Sequence, residues 1–151
     1  MKKCLIISLF WIIVMTVSPR QTTGESLTPQ VMYSRYDSRE TLFIDRDELQ
    51  RIFTRQTVQW KNGQEIVVYT KPLNSPEHKI FVSETLNMTL YRFLRDLAAS
   101  PYMNGGKTVH EVPNDQAMIR EVLSHNGAIG YVNYELVAHD KHIIVVGAGD
   151  K

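Results

Sequence analysis

Between residues 70 and 77 the chain reads Thr70-Lys71-Pro72-Leu73-Asn74-Ser75-Pro76-Glu77. A strand-forming run stops at a proline, and a Ser-Pro pair follows three residues later. Serine before proline is the pattern of a helix N-cap followed by the first helical residue. A helix start leaves backbone N–H groups unpaired, with the positive end of the helix dipole behind them, and this suits an anion. Thr70, Lys71, Asn74 and Ser75 offer hydrogen bonds and one positive charge to such a ligand. Glu77 puts a negative charge in the same first turn, so the run also fits a cap that meets only water. A second polar patch, Ser34-Arg35, is expected in the loop after the first strand and is a further candidate for ligand contact.

Other chemistry finds little footing. The five histidines are His78, His110, His125, His139 and His142. Only His139 and His142 are close in sequence, and they flank Asp140-Lys141 in an expected turn, with no further ligands at a metal-site spacing. A nucleophile elbow, a Walker loop and a dinucleotide fingerprint are all missing from the sequence. Asp45, Asp47 and Glu48 read as the start of a helix, not as a catalytic carboxylate pair. The sequence therefore predicts no catalytic residues, no metal and no cofactor. Asn87-Met88-Thr89 matches a glycosylation sequon, and a helix cap accounts for the same residues.

The elements that would hold these residues are legible from periodicity and punctuation. Val31–Tyr33 reads as a short strand. Asp45 with Glu48 three residues on is a capping box, and Leu49, Ile52 and Phe53 recur at helical spacing behind it. Asn62-Gly63 marks a turn, and Glu65–Tyr69 reads as a buried strand. A helix is expected over Pro76–Thr85. A second, opened by Asn87 or Thr89, carries the stripe Leu90, Phe93, Leu94 and Leu97. Val109–Val112 is a candidate strand. Asn114 caps a helix with Met118, Ile119, Val122 and Leu123 inward, and Asn126-Gly127 stops it. Ala128–Val132 and His142–Val146 are strands, with a helical turn at Glu135–Ala138 between them. Strands alternating with helices imply an α/β layered domain, a mixed sheet flanked by helices.

The first 24 residues have the layout of a secretory signal peptide: Lys2 and Lys3, the apolar run Leu5–Val17, then small and polar residues. Cleavage after Gly24 would leave residues 25–151 as one domain, large enough for one core. It would remove Lys2, Lys3 and Arg20 from the 17 basic residues and none of the 16 acidic ones, turning the net charge from +1 to −2. That balance argues against a nucleic-acid partner. The single cysteine, Cys4, would leave with the leader, so the mature domain would hold no disulfide and rely on its core. A disulfide-free exported domain fits a bacterial periplasm.

Three stretches carry a family resemblance. Asp47-Glu48-Leu49-Gln50-Arg51-Ile52-Phe53 followed by Trp60, Gly63 and Ile66-Val67-Val68 resembles the L-x-x-IF-x-G-x-x-x-x-W-x-x-G stretch of periplasmic phosphate-binding proteins. Asn74-Ser75-Pro76 with Phe81 falls where that family has its second anion loop, an Arg followed by a Gly-Ser-Gly-Thr turn into a helix. Asn126–Val132 looks like the family's P-G-A-I-G-Y segment. The resemblance runs from about Leu42 to Val146. It implies a small type 2 periplasmic-binding fold, an inorganic or organic anion such as phosphate as ligand, no catalysis, and an ABC permease or membrane sensor as partner. The departures are specific. Full-length members are roughly twice as long, with two lobes that close on the ligand. The family's first Gly-Ser anion loop has no counterpart here. Lys71 stands near the expected arginine, and Asn74-Ser75-Pro76-Glu77 replaces the Gly-Ser-Gly-Thr turn. A second reading therefore stays open: an envelope interaction module that keeps the fold without the ligand.

Overall fold

Strand β1 (Pro29–Ser34) enters the sheet first. The structure, a computed structural model, describes residues 29–34, 44–103, 109–137 and 143–146, the first and last of these as backbone only. The expected leader, Cys4, Arg35, His139 and His142 lie outside the described residues.

Each helix begins where a side chain can satisfy an unpaired N–H three residues ahead. Asp45 accepts from the Glu48 N–H at 2.7 Å and opens α1 (Arg46–Phe53). Ser75 accepts from the His78 N–H at 3.1 Å and opens α2 (Pro76–Ile80), with proline at the first helical position. Thr89 accepts from the Arg92 N–H and opens α3 (Leu90–Ala98), and Asn114 accepts from the Ala117 N–H and opens α4 (Asp115–Ser124). Asn87 is not the α3 cap. It sits at φ 50°, the left-handed region asparagine tolerates, and turns the chain before Thr89.

The remaining strands are β2 (Val67–Thr70), β3 (His110–Glu111), β4 (Ala128–Asn133) and β5 (Ile143–Val146). Their order across the sheet is β3-β2-β4-β1-β5. Strand β2 runs parallel to both β3 and β4, whereas β1 runs antiparallel to β4 and β5. Strand β2 starts two residues later than its composition suggests. Residues 65 and 66 first pair back across the Asn62-Gly63 turn, Glu65 bridging Gln59 and the Ile66 N–H bonding the Val58 carbonyl.

Two crossovers leave this parallel core on opposite faces. The chain from β2 to β3 passes through α2, a π-helical turn at Phe81–Thr85 and α3. The chain from β3 to β4 jumps back over β2 through α4. Right-handed crossovers in opposite directions must lie on opposite sides of the sheet. The core divides accordingly. On one face Val68, Ile129 and Tyr131 pack with Leu49, Ile52, Phe53, Phe81, Phe93 and Leu97. On the other, Tyr69, Ala128 and Val132 pack with Met118 and Val122 of α4. Leu94, expected in the α3 stripe, is exposed, because Phe93 and Leu97 define the buried line.

Two glycines fit this packing. A Cβ at Gly130 would collide with Met118 Sδ, so its bare backbone lets α4 lie close on β4. Asn126-Gly127 do not stop α4, which ends at Ser124 with His125 already extended; Gly127, at φ 80°, sits in the turn closed by the Ala128 N–H on the His125 carbonyl, and its own carbonyl accepts the Trp60 indole N–H at 3.0 Å and the Val67 N–H at 3.3 Å. The tryptophan stretch and the glycine stretch of the sequence resemblance thus meet in space.

Candidate functional site

In an open α/β sheet, ligands gather outside the carboxyl ends of adjacent strands whose connections leave on opposite faces. Here those strands are β2, which leads into α2, and β3, which leads into α4. Lys71 follows β2 and Asp115 opens α4, and the two side chains meet: Lys71 Nζ lies 2.5 Å from Asp115 Oδ1. The Val112 N–H bonds the Thr70 carbonyl at 2.8 Å and holds the two strand ends together.

Behind this pair is a buried polar chain. Tyr131, on β4, takes the Lys71 backbone N–H on its hydroxyl at 3.0 Å. The same hydroxyl lies 2.8 Å from His78 Nδ1. Which of the two donates is set by the tautomer of the His78 ring. His78 Nε2 is buried with no hydrogen-bond partner among the described residues. Burial lowers the His78 pKa to about 4, so the ring is neutral at ordinary pH. Tyr131 is pushed up, first by burial and then by the charges of Glu77, Asp115 and Glu111, against the Lys71 N–H bond, which lowers it. Its ring stacks on Phe81 at 3.9 Å and 6°, and the Lys71 ammonium lies 5.8 Å from its centroid. The π-helical turn sets Phe81 against Phe53 as well, with centroids 4.7 Å apart.

Four of the six expected ligand residues share this edge. Thr70 is buried at the end of β2, Lys71 is buried in its ion pair, and Asn74 is exposed on the turn closed by the Ser75 N–H on the Pro72 carbonyl. Ser75 is half-buried, and its hydroxyl oxygen accepts the cap bond while its proton stays available to a ligand. The Glu77 N–H has no hydrogen-bond partner among the described residues.

Ser34 does not join them. It closes β1 instead of opening a loop, pairing with Ile143 of β5. Because β1 runs antiparallel to β4, Ser34 lies one residue past the Tyr33–Ile129 pair, level with the beginning of β2. Four residues of extended chain, about 13 Å, separate that level from Lys71. The local sequence could not show the strand direction that puts it there. Arg35, the next residue, lies outside the described residues. Conversely, sequence reasoning did not single out His78, Tyr131 or Asp115 for the site. The available signal was alternation: Ile129 and Tyr131 share a face, and His78 sits three residues behind the Ser75 cap.

No group of three or more His, Cys, Asp or Glu able to hold a metal occurs among the described residues, and no helix there is long and apolar enough to cross a membrane. No protein-family model and no curated protein matches the chain. Solved structures do. The PstS protein of Borrelia burgdorferi superposes with a TM-score of 0.58 at 14% identity, over 80% of this chain and 47% of that one. This is a periplasmic-binding-protein fold. A putative phosphate ABC transporter substrate-binding protein from Clostridium perfringens, solved with bound phosphate, gives 0.58 at 14% identity over 80% of this chain and 44% of its own. An ABC-type phosphate transport receptor from Vibrio cholerae gives 0.52 at 17% identity, with 80% and 45% covered. By these descriptions the neighbours are binding proteins, and this chain spans less than half the length of each.

Proposed function

We propose that the chain is a solute-binding-type domain of the bacterial cell envelope that takes a small oxyanion, phosphate foremost, without transforming it. The ligand sits where β2 passes into α2, donated to by the Ser75 hydroxyl and the Glu77 N–H, with the Lys71 ammonium behind. An ABC permease or a membrane sensor reads the loaded state. The observation that carries this reading is a capped helix start and a buried cation on one carboxyl edge, where β2 and β3 diverge. The leader read in residues 1–24 would deliver residues 25–151 to the periplasm. The test is thermal melting with millimolar phosphate, sulfate and chloride. A ligand at about a hundred times its dissociation constant adds roughly 2.7 kcal/mol. Wild type should show an anion-specific rise that Ser75→Ala loses. Equal melting in all three salts would refute oxyanion binding.

One observation favours a second reading, a ligand-free interaction module. Lys71 already has a carboxylate partner, and Glu77 adds a negative charge in the α2 first turn.

A further inference from the structure

We infer that Asp115 sets the anion affinity of the Lys71 seat by acting as a built-in competitor for its ammonium. The inference rests on the oxyanion reading above and assigns a role that reading leaves open.

Both partners are delivered by fixed backbone. The Lys71 main chain is tied to the Tyr131 hydroxyl, and its side chain is only 7% exposed. Asp115 is the first residue of α4, held by the Asn114 cap and by Met118 seated against Gly130. Its side chain is 26% exposed against 7% for Lys71, and although the Oδ1 that meets Nζ is itself buried, the aspartate is the member of the pair that reaches water and can yield. An oxyanion reaching Nζ must take the position the Asp115 oxygen holds. Glu77 and Glu111 add negative charge that reaches Tyr131, whose ring lies beside the Lys71 ammonium. A free anion therefore gains little from the Lys71 ammonium until Asp115 is neutralised or displaced. Neutralising Asp115 leaves the buried ammonium without its counter-charge. A bound oxyanion then restores it, so stability becomes linked to anion concentration.

The experiment compares wild type, Asp115→Asn and Asp115→Glu by titration with inorganic sulfate and phosphate in a chloride buffer. Calorimetry reads affinity, and melting reads stability. Asp115→Asn should bind at least tenfold tighter than wild type and melt higher with each rise in sulfate. Asp115→Glu, which keeps the charge, should stay near wild type. A merely structural aspartate predicts otherwise: Asp115→Asn would lose stability equally in sulfate and chloride. If wild type binds and Asp115→Asn binds equally or more weakly, this inference falls and the oxyanion reading stands. If only Asp115→Asn binds, the inference holds and wild type is not an oxyanion carrier. If neither binds, both fall. Should Asp115→Asn fail to fold in chloride, recovery in sulfate supports the inference. Failure in both salts, with Asp115→Glu folded, overturns it.

Discussion

Acidification from pH 7.5 to 4.5 should weaken this fold through one residue. His78 is fully buried, bonded to Tyr131 and neutral, with its pKa lowered by burial from 6.5 to about 4. In the unfolded chain it regains the ordinary value near 6.5. Between those two pKa values the unfolded chain binds the proton and the folded chain does not, so stability falls as pH falls. The contribution is intact above about pH 7 and stops declining below about pH 4. Integrating over that window gives a loss of about 2 to 3 kcal/mol from His78 alone. Urea denaturation of wild type and His78→Phe at the two pH values isolates the effect. The other titrating groups are common to both proteins and cancel in the difference. His78→Phe should be less stable than wild type at neutral pH but lose about 2 to 3 kcal/mol less on acidification. Equal losses in the two proteins would show that His78 is not held neutral by burial.

Gly130→Ala should cost about 1 to 3 kcal/mol, because the new Cβ meets Met118 and Val122 of a packed helix; unchanged urea unfolding would mean that α4 does not lie on β4 there. Trp60→Phe removes the indole bond to the Gly127 carbonyl and should cost about 1 kcal/mol by circular dichroism melts in urea. Ser75→Ala should lose about 1 kcal/mol from the α2 cap even without ligand, so its anion response must be read as a shift within each protein.

What the sequence made legible was local. Asp45, Ser75 and Asn114 could be read as caps because each bonds an N–H three residues away. Gly127 could be read as a turn residue because one backbone angle decides it, although α4 already stops at Ser124, where His125 goes extended. The candidate site was only half legible. Ser75 and Lys71 share one loop, but the carboxylate that meets Lys71 comes from the start of the second crossover, beyond the whole of the first. The His78–Tyr131 bond spans 53 residues, and nothing in the Ser75 loop announces it. Ser34 shows the same limit from the other side. A polar residue after a strand looks available, yet the antiparallel pairing of β1 with β4 sends it to the opposite edge. Similarity of fold to longer proteins does not repair this, since a site depends on particular side chains.

The most direct test of the central claim is amide NMR of the folded domain titrated with inorganic phosphate, against a chloride control. Saturable shifts centred on Ser75 and Glu77, extending to the Lys71 N–H, are the predicted result. Shifts centred elsewhere, or none beyond the chloride control, would contradict an oxyanion seat between β2 and α2.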